Sequence, residues 1–294
     1  MRPLPRFWTT ARGRATDQDG RPLDLTIWGW STASIAEAAA VAADRLAQTR
    51  ERLAAGQRLQ SWAYYPRMPL REETLAEITA PDGTLLAIVS RNRYGAEVLN
   101  TDLFLVADVD LPEEVPASGG GGGGLLGRLF GRKDRPPGLG PSGAEQEALE
   151  RVARFAAANP HLGVHTYRTA AGLRVLVTGG DLPPGTSAAE AVLQQLDSDP
   201  IYVKLCSTHQ TYRARLTPKP WRCGQRALSE PWPFADERRA EAARRWLERY
   251  EAVGPAWATT RWLSSTGPEP SAAEAQVIAW HDRVTRAREE LPLA

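Results

Sequence analysis

The stretch LFLVADVDLPEE, Leu103 to Glu114, decides how this chain is read. Its first half is an almost unbroken apolar run, which predicts a central strand covered on both faces. The run ends in Asp108 and Asp110 with one Val between them. Side chains alternate along a strand, so both carboxylates project from one face where the strand meets the next loop. Two carboxylates that close repel each other, and burying either requires a compensating positive charge. A hard divalent cation that prefers oxygen, Mg²⁺ or Mn²⁺, is the usual compensation. The competing reading is a polar strand end that turns at Leu111-Pro112.

Working outward, LDLTIWGW (Leu23 to Trp30) predicts a strand, followed by a long helix that opens on a Ser34/Glu37 capping box and stops at Gly56. The WAYYPR segment follows, and then two apolar runs joined at Asp82-Gly83 predict a hairpin. After the aspartates, six consecutive glycines, Gly119 to Gly124, mark residues 112–143 as a flexible insertion that carries no core. Order resumes with a helix whose stripe is Ala148, Leu149, Val152, Phe155 and Ala156. Two short strands around Ala171-Gly172, a helix behind a Ser187/Glu190 box and a strand at YRARLTP come next. Two helices joined by a Trp- and Pro-containing linker fill the last quarter, the second behind a Ser271/Glu274 box.

This order predicts an α+β fold: a mixed or antiparallel sheet with helices packed on it, built on a ferredoxin-like split βαβ core, plus a helical C-terminal region. The expected division is residues 1–222 as the α+β core, interrupted at 112–143, and 223–294 as a helical extension.

Lys and Arg number 36 against 35 Asp and Glu, so no global field draws the chain onto nucleic acid or a membrane. Any such contact must come from a local patch. Two cysteines, Cys206 and Cys223, argue against a disulfide-stapled secreted domain. With no apolar run long enough to span a bilayer and no signal region, the expectation is a cytoplasmic protein without a transmembrane segment. The preference for Arg over Lys and the abundance of Ala point to a GC-rich bacterial genome.

Local patches are present. Arg91, Arg93 and Tyr94 follow one apolar strand, Arg168 and Arg174 lie on the strands after the insertion, and YRARLTPKPWR holds Arg213, Arg215, Lys219 and Arg222. Guanidinium forks match phosphate oxygens, and Tyr212 and Trp221 interleave as candidate base-stacking rings. The phosphate-binding candidates are Arg91, Arg93, Arg174, Arg213, Arg215 and Lys219. The competing reading is that most of these arginines coat a solvated surface.

An apolar strand ending in Asp-x-Asp, then helix, hairpin with a central Gly, helix and basic strand resembles the catalytic core of archaeo-eukaryotic-type primases and primase-polymerases. The resemblance covers about residues 100 to 220. It implies that Asp108 and Asp110 are the catalytic metal ligands of a divalent-metal-dependent nucleotidyltransferase. The family's Ser-x-His motif is missing: the segment reads TAAGLRVLV, with Arg174 near the place of the His. Asp197 or Asp199 falls where the family has a third acid. A non-catalytic relative that binds a nucleotide or single-stranded nucleic acid fits these departures as well. The segments around RNRYGAEV and YRARLTPKPWRCG are also similar to a bacterial family that implies no chemistry.

Two other sites are weighed. Cys206, His209 and Cys223 are a zinc-type ligand set without a fourth neighbour, and small buried thiols are the commoner use of such cysteines. The apolar and basic LLGRLFGRK inside the insertion, together with the C-terminal helices, would suit a non-catalytic module that contacts a protein partner.

Overall fold

The computed structural model describes residues 3–57, 69–112 and 143–294. The WAYYPR segment and the insertion between Pro112 and Gly143, with the protein partner expected there, lie outside the described residues. The chain forms two compact units, Arg2–Thr74 and Leu75–Ala294.

In the first unit, β1 (Phe7–Thr16) and β2 (Pro22–Ser31) form a ten-residue antiparallel hairpin, with Trp8 opposite Trp30 and Thr16 opposite Pro22. β1 precedes the first strand expected from the sequence. Helix α1 (Ile35–Ala54) lies on the hairpin through Leu25, Leu46 and Leu53. Ser34 caps it, but Glu37 takes its hydrogen bond from the Ser31 hydroxyl instead of closing the expected box. At the other end Gly56 adopts φ +75°, and the amides of Gly56 and Gln57 bond the carbonyls of Leu53 and Arg52. That is a Schellman stop, which needs the left-handed residue there.

Among the described residues the second unit has two four-stranded sheets. One runs β3 (Glu73–Thr79), β4 (Leu85–Arg91), β5 (Glu97–Thr101) and β9 (Tyr212–Arg215). The other runs β10 (Thr260–Thr266), β7 (Gly163–Thr169), β8 (Gly172–Thr178) and β6 (Leu105–Asp110). Helices α2 (Gly143–Ala158), α3 (Ser187–Gln195), α4 (Pro200–His209), α5 (Glu237–Val253) and α6 (Ala272–Thr285) complete it. The α+β architecture expected from the sequence holds, including helices in the last quarter. β6, β8 and β7 stand in the ferredoxin-like order, whereas β9 pairs with β5.

Two readings of individual segments change. β6 is the last strand of its sheet, not a central one. Its outer edge is closed by the segment before α4: Asp199 N–H and the Ser198 hydroxyl donate to the Asp108 carbonyl, and Asp108 N–H donates back to Ser198 Oγ. Beside them the Tyr202 hydroxyl donates to Val106 O at 3.0 Å and accepts from Arg213 N at 3.2 Å, bridging β6 and β9. The expected C-terminal linker contains β10, paired antiparallel with β7 from Thr260↔Thr169 to Thr266↔Val164. At the helix starts, α3 is capped by Thr186 in place of Ser187, while the Ser271/Glu274 box of α6 forms as read.

The core explains these elements. Val109 and Leu173 face Ala148 of α2, so one face of the β6–β8 pair is taken up by packing. Asp108 and Asp110 therefore stand on the opposite face. Among the described residues no helix is long and apolar enough to cross a membrane.

Candidate functional site

Register places Arg174 of β8 directly across from Asp108, and Tyr167 of β7 across from Arg174. Gly172 lies opposite Asp110. Asp108, Arg174 and Tyr167 thus form a row over three strands on the face that bears both aspartates.

The charges around the end of β6 come from three further segments. Desolvation, then the charges of Asp108 and Asp199, push the Asp110 carboxyl above its usual range, and Lys219 and Arg222 oppose the rise. Lys219 is pushed down to about 8, chiefly by burial and then by Arg215 and Arg222, against the pull of Asp108 and Asp110. Asp199 meets Asp108 through its backbone amide, and Lys219 and Arg222 lie near enough to feel the charge of Asp110, with Arg215 next to Lys219. Asp199 also caps α4, its two oxygens accepting from Ile201 N and Tyr202 N. Asp197, the other candidate for a third acid, instead pairs with Arg151 at 3.1 Å.

The phosphate candidates separate. Lys219 lies near Asp110, and Arg215 flanks it while donating to Thr217 O and Ala294 O. Arg213, on the same strand face, donates to Asn100 Oδ1 at 2.6 Å. Arg93 is exposed on the β4–β5 turn, next to Tyr94, whose ring meets Trp221 edge-on at 5.3 Å. Two candidates are corrected. Arg91 is buried in an internal network with Gly95 O, Glu97 and Glu251. Arg174 is 3% exposed and commits Nη1 to Arg215 O and His281 Nε2, so a phosphate arriving from solvent does not meet it.

The stacking candidates separate too. Tyr212 is 0% exposed, with its hydroxyl donating to Leu182 O, and is core. Strand alternation puts it with Ala214 and Leu216, away from Arg213 and Arg215. Trp221 is 42% exposed, with Lys219 Nζ 5.9 Å from its ring centroid, and offers an open face.

Sequence reasoning missed what holds the Lys219 loop. Tyr250 of α5 donates to Pro218 O at 2.5 Å and accepts from the Thr217 hydroxyl, and Trp246 stacks on Tyr250 at 4.8 Å. The Ala243, Trp246, Tyr250 spacing announces a packing stripe, but nothing local names the loop it packs on. His281 of α6, which bonds Arg174, and Asp282 beside it were also missed.

The zinc set does not assemble. Cys206 lies in the main core and Cys223 in the separate cluster with Trp246 and Tyr250. Burial raises both thiols, that of Cys206 to about 11. Among the described residues no group of three or more His, Cys, Asp or Glu side chains is placed to hold a metal ion. Comparison of the chain with protein-family models, with curated proteins and with solved structures finds no match.

Proposed function

We propose that the end of β6 binds a nucleotide together with Mg²⁺ or Mn²⁺, and that its chemistry is nucleotidyl transfer. One observation supports this above the others: Asp108, Asp110 and Asp199 gather beside Lys219 and Arg222, next to the open ring of Trp221. Three carboxylates alone would repel a triphosphate. Asp108 and Asp110 would hold a divalent ion that reverses that sign, while Lys219, Arg222 and Arg215 would take the remaining phosphate charge. Mg²⁺ is usually held by one or two carboxylates plus substrate oxygens, so a site without a third free protein ligand suits an ion that arrives with its nucleotide. Trp221 is the surface on which a base would stack.

Calorimetric titration of Mn²⁺ with ATP into the protein tests this reading. The ion alone should bind weakly, and ion plus ATP should bind with a clear stoichiometry. Asp108→Asn with Asp110→Asn should weaken that binding by about 100-fold or more, roughly 2.8 kcal/mol. Equal binding by the double variant would move the site elsewhere, and absence of binding in both proteins would remove the nucleotide reading. Transfer of the radiolabelled AMP group of ATP to the 3′-hydroxyl of an added oligonucleotide, with release of pyrophosphate and lost in the double variant, is the expected sign of the reaction.

A further inference from the structure

We infer that α6 belongs to the site: His281 and Asp282 are positioning residues that fix the Arg174 guanidinium on the strand beside Asp108. This deepens the nucleotide reading and rests on it for its functional half.

Arg174 is a buried cation on the central row of the sheet, with Asp108 as its cross-strand neighbour. A buried guanidinium keeps its charge only if its donors find acceptors. Two are supplied to Nη1, Arg215 O at 2.9 Å and His281 Nε2 at 3.1 Å. Arg only donates, so Nε2 must accept and the imidazole proton must sit on Nδ1. Nδ1 lies 2.9 Å from Asp282 Oδ1, the acceptor that fixes this tautomer. Asp282 is held in turn by the Tyr167 hydroxyl and by Arg288 at 3.6 Å. His281 is 0% exposed and stacks edge-on against Tyr167 at 5.0 Å, so the ring cannot turn away.

The result is one run from α6 to β6: Asp282 bonds His281, His281 bonds Arg174, and Arg174 lies across the strand pair from Asp108. A second observation supports a role beyond packing. Arg174 Nε is buried and has no hydrogen-bond partner. Leaving such a donor orphaned in a core is costly, and Asp108 is the neighbouring carboxylate that can take it when the site is loaded. Partners behind a metal-binding carboxylate commonly change affinity by about 10- to 100-fold when removed.

The test uses the full chain with His281→Phe, which removes the acceptor and keeps a ring, and His281→Gln, whose amide oxygen can accept in its place. In the ligand-free protein the Arg174 Nε–H resonance, assigned by its loss in Arg174→Lys, should be protected from exchange in the wild type and in His281→Gln. It should lose that protection in His281→Phe. With Mg²⁺ and ATP the resonance should shift in the wild type, and binding should be about 10-fold weaker in His281→Phe than in His281→Gln. An Arg174 resonance indifferent to both substitutions, or equal ATP binding by the two variants beside a wild type that binds, overturns the inference. If the wild type does not bind ATP at all, the reading of the site fails, and the ligand-free comparison alone decides whether His281 sets Arg174.

Discussion

Tyr202→Phe is expected to destabilise the protein by about 3 kcal/mol, with the urea midpoint lowered and its slope unchanged. The substitution removes one oxygen and no carbon. That oxygen serves two backbone groups at once, accepting from Arg213 N and donating to Val106 O. Both belong to strands that face each other without pairing, β6 and β9, so the hydroxyl stands where ladder hydrogen bonds would otherwise run. Each buried backbone group left unpaired costs about 1–3 kcal/mol. The ring itself is buried, and Phe refills that volume. A loss below about 1 kcal/mol would show that water occupies the vacated position and that the bridge is not structural. The same variant should bind nucleotide more weakly, because Asp108 lies on one side of the seam and the Arg215–Lys219 segment on the other.

Gly172→Ala is the second large effect, about 3 kcal/mol by denaturation, near the upper end for overpacking. A Cβ at Gly172 would overlap the Val109 carbonyl oxygen and crowd Asp110 Cα. These are backbone atoms of the paired strand, and they can yield only if the end of β6 moves. Asp110 moves with it, so metal-dependent nucleotide binding should fall together with stability. Gly143→Ala is the internal control: no atom lies within 4 Å of the place its Cβ would take, and the residue opens α2. There the change should be neutral or stabilising by up to about 1 kcal/mol. Equal losses at the two positions would mean that close strand approach is not the cause.

What could be read from the sequence follows from how local each signal is. The run from Leu103 to Val109 and the same-face aspartates were legible because alternation is a property of the strand itself. The Ser271/Glu274 box was legible because both partners lie within one turn. β10 was not, since RWLSST becomes a strand through the exposed edge of β7 and through Trp262 N–H bonding to Ala287 O. α4 was hidden because Asp199-Pro200 reads equally as a turn, although a capping Asp followed by Pro also opens a helix. The burial of Tyr212 was available and overlooked: Tyr212, Ala214 and Leu216 form the apolar face of the strand whose other face carries Arg213 and Arg215. Arg174 sits within LRVLV, a strand buried on both faces, and that flank argues for an internal role over a solvent-facing clamp. Its partner His281 lies 107 positions away, beyond the reach of any local pattern.

The closed edge of β6 also bears on how copies of this chain behave toward one another. Leu105 to Val109 is apolar at four of five positions, and an unpaired strand of that composition recruits strands from neighbouring molecules. Ser198, Asp199 and Tyr202 occupy the positions a foreign strand would need. The segment between α3 and α4, with the first turn of α4, therefore covers an edge that would otherwise be open to strand addition, and the apolar strand that carries the aspartates stays covered only while that segment is folded.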